Sequence, residues 1–266
     1  MTRRSFKRAL GIFWWVTLLF LYAPLLVVMF YSFNSINSSA RWGGFSLRWY
    51  RQLAGNEVII AAIGNTLVLA IVSSLIAVAI GALTGYGLYR HRARRLGLLI
   101  ALVYLPIVMP DIVFGIADMT FFVGINRLTG LLSPGLATMV IAHVTFQIPF
   151  VALLVYSRLV GLDATLFDAA KDLYASPAQR ALHFLLPTLR PALLSAFFLS
   201  FTLSVDDFVI SFFTAGPESA TLPIYIWGAI RRGVSPEINA IATLMIAAVA
   251  LVAVISLALG RHRGRA

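Results

Sequence analysis

AIGNTLVLAIVSSLIAVAIGALTGYGLY, residues 62–89, runs without a single charged side chain. A helix needs about 20 mostly apolar residues to cross the hydrocarbon core of a bilayer, so this stretch is long enough to span by itself. Five more stretches read the same way: roughly 9–33, 97–122, 136–158, 190–213 and 239–260. Polar breaks separate them at 34–57, 90–96, 123–135, 159–189 and 214–238. The expectation is an all-α membrane protein with six transmembrane helices, forming a single domain over residues 1–266.

Composition demands the same solvent. Hydrophobic residues make up 60% of the 266 and charged residues 12%, where a soluble domain carries roughly a quarter charged. A water-soluble fold of this length has no way to hide so much apolar side chain. There are no cysteines, which excludes disulfides and thiolate metal sites.

The net charge of +11 is distributed as a membrane protein distributes it. With the N-terminus inside, the cytoplasmic pieces hold Arg3, Arg4, Lys7 and Arg8; Arg90, Arg92, Arg94 and Arg95; Arg158, Lys171, Arg180 and Arg190; and Arg261, Arg263 and Arg265. That is 15 of the 21 cationic residues; Arg41, Arg48, Arg51, Arg127, Arg231 and Arg232 remain for the outer side. The bias follows the positive-inside rule, with both termini cytoplasmic. Clusters beside apolar runs, rather than a basic stripe, speak against nucleic acid. TRRSFKR, residues 2–8, brushes against a twin-arginine export signal. The apolar run behind it exceeds a signal core of about 7–15 residues, so a signal anchor is the expectation.

Within the spans, Gly81 and Gly85 form a small-xxx-small face that lets helices approach closely. Pro106, Pro110 and Pro149 remove backbone donors and are placed to bend their helices. Catalytic constellations are missing. A phosphate-binding loop needs Gly-Lys before Ser or Thr, and neither Lys7 nor Lys171 follows a glycine. His91, His143, His183 and His262 belong to no HExxH, and no serine stands in GxSxG. The chain is therefore not expected to be an enzyme or to hold a cofactor of its own. His143 lies inside the fourth span, as a pathway residue or as an interhelical hydrogen-bonding group.

Four acids also fall inside spans: Asp111 and Asp118 on the third, Asp206 and Asp207 on the fifth. A carboxylate at bilayer depth costs at least ~2.5–3.5 kcal/mol, so it faces a cavity or a partner. Asp111 and Asp118 are seven residues apart, on one helical face. At ~1.5 Å per residue, Asp111 comes near mid-membrane and the other three towards the outer half. These four are candidate substrate-pathway residues. Capping of kinked helices or pairing with outer arginines is the structural alternative. Outer and intramembrane residues together hold seven acids against six arginines, so the basicity of the chain belongs to its cytoplasmic rim and does not oppose a cationic substrate.

The longest cytoplasmic segment reads GLDATLFDAAKDLYASPAQRALHFLLPTLRPAL from Gly161. One short helix fits about Ala164 to Leu173, with Asp163 as N-cap and Leu166, Phe167, Ala170 and Leu173 on one face. A second starts at Ser176-Pro177, serine as cap and proline in the first turn, and ends before Pro187. Such a loop is a docking element for a groove or lies on lipid headgroups.

Here the residues resemble a known pattern. Asp168-Ala169-Ala170, followed by Phe184, Leu186 and Pro187, is similar to the EAA motif of bacterial ABC importer permeases, the inner membrane components of binding-protein-dependent transport systems. Asp168 replaces the glutamate, and Tyr174 occupies the position where that motif has glycine. The resemblance implies a type I importer permease architecture. It also implies that the loop is a coupling helix seated in an ATPase subunit, with Asp168, Ala169, Ala170, Tyr174 and Pro187 at the contact. The implied partners are a homologous second permease, an ATPase dimer that binds ATP and Mg, and a periplasmic solute-binding protein, all at the bacterial inner membrane. LSVDDFVISFF from Leu203, Gly216-Pro217, Thr221-Leu222-Pro223 and Pro236-Glu237-Ile238-Asn239-Ala240 further resemble the spermidine/putrescine permeases of the second-subunit type, which implies a polyamine substrate. Another small solute, such as an amino acid derivative, or a scaffold or channel subunit without an ATPase, are the alternatives. If the coupling role holds, Asp168→Lys abolishes uptake while membrane insertion survives; wild-type import by that variant removes the docking role.

Overall fold

The computed structural model describes residues 3–38, 40–90, 97–162, 176–233 and 235–247. They form helices joined by loops, and the one strand-like pairing among them is an isolated antiparallel bridge between Asn34 and Phe45. The helices are α1 (Arg3–Tyr31), α2 (Arg48–Ala54), α3 (Glu57–Arg90), α4 (Gly97–Val108) and α5 (Asp111–Thr129). They continue as α6 (Leu136–Val160), α7 (Pro177–Val205), α8 (Val209–Thr214), α9 (Leu222–Arg232) and α10 (Pro236–Ala247). Five of the described helices are long and apolar enough to cross a membrane: α3, α5, α6, α7 and the Leu10–Tyr31 part of α1. The expected span 239–260 is described as far as Ala247, within α10; the rest lies outside the described residues.

Three expected boundaries differ. The stretch 97–122 is two helices, not one. Pro110 sits in an extended conformation (φ −60°, ψ 135°) between α4 and α5, because a proline disfavours helical geometry in the residue before it and offers no N–H to continue the ladder. Its carbonyl then accepts the Val113 N–H (2.9 Å) and starts α5. Pro106, by contrast, is accommodated within α4. The stretch 190–213 likewise breaks after Val205 and resumes as the short α8.

The third difference is at the cytoplasmic loop. Ser176 caps its helix as expected: its Oγ accepts the Gln179 N–H (3.3 Å), and Gln179 Oε1 accepts the Ser176 N–H (2.8 Å). The helix does not stop before Pro187, however. A π-turn over Arg180–Leu185 widens it, which makes room for a proline ring that would otherwise crowd the preceding turn. Thr188 Oγ1 donates to the Phe184 carbonyl (2.6 Å) beside the proline. The result is one continuous helix from the loop into the membrane span.

By contacts the chain divides into two compact units: the described parts of Met1–Ile60 with Ile226–Ala266, and Ala61–Tyr225. In the first, no residue in the apolar window of α1 is fully buried by the described residues. After α1 a tight loop folds around Asn34. The Asn34 amide donates to the Ser38 and Arg41 carbonyls (2.6 and 2.7 Å) and its Oδ1 accepts the Gly43 N–H (2.8 Å), while Trp49 Nε1 donates to its backbone carbonyl (2.6 Å).

The second unit is built around α6, the most buried of the long helices, against which α4, α5, α7 and α8 pack. Its inward face includes Val151, Ala152, Val155 and Leu159, each inaccessible to solvent, and Val151, Val155 and Leu159 meet Leu189 and Ala196 of α7. Helix α3 reaches α6 through the expected glycine pair. A methyl group added at Gly81 would lie 2.6 Å from Val151 Cβ, and one at Gly85 would lie 2.5 Å from the Ala152 carbonyl oxygen. Only glycine permits that approach. Gly85→Leu should therefore destabilise the purified protein by about 1–3 kcal/mol through overpacking, read as earlier thermal unfolding in detergent. Gly87→Ala, whose added methyl meets nothing within 4 Å, serves as the control and should unfold like the wild type.

Candidate functional site

The break between α7 and α8 is where the polar side chains of the second unit converge. Asp206 and Asp207 stand in it side by side, and the geometry gives them different surroundings. The Asp206 N–H closes α7 on the Thr202 carbonyl (3.3 Å), and its side chain is exposed. Asp207 turns inward. Its Oδ1 accepts the Ile210 N–H (3.3 Å) and its Oδ2 the Ser211 N–H (2.8 Å), occupying the backbone donors that the start of α8 leaves without a helical partner.

His143 comes to the same point from α6. Its side chain is 2% exposed, and its Nε2 lies 3.3 Å from Asp207 Oδ2 and 3.0 Å from Ser211 Oγ. The other ring nitrogen, Nδ1, lies 2.8 Å from Ser204 Oγ. Behind Ser204 the network continues: Ser73 Oγ of α3 reaches Ser204 Oγ (3.4 Å), and Gln147 Nε2, one turn along α6, reaches Ser73 Oγ (3.4 Å). A ring proton on Nε2 suits the Asp207 carboxylate that it faces, and Nδ1 then accepts from the Ser204 O–H.

Further out, the loop after α8 is clamped from two sides. Asn65 Nδ2 of α3 donates to the Glu218 and Ala220 carbonyls (3.0 and 3.1 Å), and Thr66 Oγ1 accepts the Leu222 N–H (2.8 Å). From α6, Thr138 Oγ1 donates to the Thr214 carbonyl (3.0 Å). Gly216 packs so closely on Pro134 that a Cβ there would collide with its carbonyl oxygen.

The other expected residues lie as follows. Asp111 is the first residue of α5 and exposed, at a helix end whose dipole favours an acid. Asp118 is half-buried on the same helix, and its Oδ2 has no hydrogen-bond partner among the described residues. Pro187 lies in α7 directly after the π-turn. Asp168, Ala169, Ala170 and Tyr174 fall outside the described residues. The partners of His143, namely Ser204 and Ser211, and the Ser73–Gln147 extension were not singled out from the sequence. Their signal there is weak but present: His143 and Gln147, like Ser200 and Ser204, recur at i and i+4 on otherwise apolar helices.

Among the described residues, five apolar helices long enough to cross a bilayer define an integral membrane protein. The chain belongs to the family of binding-protein-dependent transport system inner membrane components, whose pattern matches residues 77–265. It is thus a permease subunit of an ABC importer, located in the inner membrane. It is 38% identical over 239 residues to the putrescine transport system permease protein PotI of Escherichia coli (strain K12), covering 89% of this chain and 85% of that one. It is 37% identical to the spermidine/putrescine transport system permease protein PotC of the same organism, over 85% of this chain and 84% of that one. Among solved structures, the fold is shared with a bacterial ABC transporter involved in the import of the acidic polysaccharide alginate (TM-score 0.76, 19% identity, 97% and 95% coverage). It is also shared with the MetNI methionine ABC transporter in an inward-facing conformation (TM-score 0.64, 21% identity, 77% and 94% coverage).

The two acids of the break should separate in a stability measurement. Asp207→Ala strands the Ile210 and Ser211 N–H groups, at about 1–3 kcal/mol for each buried donor left unpaired. Asp206→Ala should leave thermal unfolding of the detergent-solubilised protein unchanged. Equal melting shifts for the two variants would contradict the division.

Proposed function

We propose that the chain forms one half of the membrane pathway of a polyamine importer, passing small linear amines such as putrescine and spermidine. What supports this reading is the exposed carboxylate of Asp206 at a break in a membrane helix, in a chain with 36–38% identity to permeases named for those two solutes. An ammonium group recognises a carboxylate through a charge-assisted hydrogen bond. Asp118, half-buried with an unpartnered oxygen, and Asp111 are further acids for the same path. In this reading Asp207 belongs to the wall that supports it.

The rest of the machine follows as part of the proposal. Residues 1–266 act as a single six-span permease domain with both termini cytoplasmic. It pairs with a homologous second permease, and a periplasmic solute-binding protein delivers the amine to the outer face. An ATPase dimer carrying ATP and Mg grips the loop around Asp168, Ala169, Ala170 and Tyr174. Pro187, in α7 just beyond the π-turn, belongs to the same contact. ATP-driven closure of the ATPase pair then switches the bundle from inward-open to outward-open, and hydrolysis resets it.

The test is competitive uptake of labelled putrescine, spermidine and amino acids by cells expressing the whole system. The amines should compete with each other and the amino acids should not. Asp206→Asn, which removes one charge-assisted contact, should lower amine uptake about tenfold or more with the complex still assembled. Undiminished uptake would move Asp206 out of the path, and preference for an amino acid would replace the substrate.

A further inference from the structure

The geometry points to His143 as a positioning residue for transport: it clasps the two halves of the interrupted span and thereby sets where the Asp206 carboxylate stands, and with it the spacing of amine groups the pathway accepts. This rests on the reading that Asp206 meets the amine, and it adds a residue that neither touches the substrate nor lies on the broken span.

Asp206 caps α7 through its N–H on the Thr202 carbonyl (3.3 Å), so its carboxylate moves with α7, and where it stands against Asp207 and α8 depends on how the two half-helices are held relative to each other. The imidazole supplies that hold, because its two nitrogens serve different halves. Nδ1 bonds Ser204, in the last turn of α7 (2.8 Å), and Nε2 bonds Ser211, in the first turn of α8 (3.0 Å), while also facing Asp207 at 3.3 Å. The ring is itself fixed. It is 2% exposed and sits on α6, the most buried long helix. A proton on Nε2 is favoured by the Asp207 carboxylate beside it, and Ser204 is backed by Ser73 and Gln147.

A merely space-filling role would not call for this arrangement. An apolar side chain of similar volume fills a helix interface in lipid without polar atoms to satisfy. Two directional bonds from one ring do what packing alone does not, which is to fix the angle across a break. Asp206 is the residue next to Asp207, one Cα step of ~3.8 Å away. A small rotation of the break therefore carries the Asp206 carboxylate by a distance that matters to a charge-assisted contact, whose optimum is only a few tenths of an ångström wide.

The experiment uses the complete importer, with its ATPase, second permease and binding protein, reconstituted in proteoliposomes. It reads the ratio of putrescine to spermidine uptake at saturating amine-loaded binding protein. His143→Leu removes both bonds, Ser211→Ala removes one, and His143→Gln keeps a donor and an acceptor on one side chain. His143→Leu and Ser211→Ala should change the ratio in the same direction, by about fivefold or more for the first, and His143→Gln should restore most of it. A ratio that stays at the wild-type value in assembled complexes of both variants overturns the clasp. So does an equal loss of both amines that tracks thermal stability, the mark of a purely structural role. If His143→Leu fails to assemble, the Ser211→Ala ratio decides alone. Asp206→Asn is run alongside. Unaltered amine uptake by that variant sinks the amine-contact reading and the clasp with it, whereas reduced uptake with unaltered ratios in the His143 and Ser211 variants sinks the clasp only.

Discussion

A helix interrupted inside a packed apolar bundle exposes peptide groups that hydrocarbon cannot satisfy, and polar protein groups must cover them. That constraint organises the centre of this permease. The break after Val205 is tolerable because Asp207 accepts the N–H groups of Ile210 and Ser211, and because the charge so buried is faced by His143 rather than by hydrocarbon. Serines from α3, α7 and α8 bond the imidazole and carry the network to Gln147, whose Oε1 has no hydrogen-bond partner among the described residues. The polar groups of this seam support one another, as expected where the local dielectric is low.

The seam in turn requires close backbones. Ser73 reaches Ser204 and Gln147 only if α3 lies against α6, and that approach is licensed a few turns further along by Gly81 and Gly85. A larger residue at either position would push α3 away from the helix that carries both His143 and Gln147. Packing in lipid thus serves polar chemistry. The same α6 supports the outer corner through Thr138, while Asn65 and Thr66 of α3 hold the loop that follows α8. The acid-bearing break is therefore bounded by fixed walls on both sides. Its connection to the cytoplasmic loop is also continuous: α7 runs 29 residues from Pro177 to Val205, some ~43 Å at 1.5 Å per residue. A π-turn, not a hinge loop, absorbs Pro187 on the way.

Much of this was legible in the chain itself. The apolar runs at 62–89 and 136–158 match α3 and α6 to within a few residues at most ends, Gly81 and Gly85 meet a neighbouring helix, and Ser176 caps its helix as the Ser176-Pro177 pair indicates. The pairing of His143 was legible only as two options, because a lone histidine on an apolar helix carries no record of what it faces. The breaks were read least well. Pro110 ends α4 while Pro106 and Pro187 stay inside helices, and residue type alone does not separate those outcomes. Whether the widening needed for a proline is available depends on what surrounds that turn.

Hydropathy, charge bias and the family motif required no tertiary information. Burying ~20 apolar residues in a bilayer is a property of one segment at a time, so solvent, helix content and family were determined by the amino-acid order alone. The division of labour between Asp206 and Asp207 was not. Adjacent in sequence and identical in chemistry, they differ only in what α6 brings against them: a histidine, held by serines from other helices, claims one carboxylate and leaves the other exposed. Contacts between segments that lie 61 and 68 residues apart are created by packing, and only the folded bundle decides them.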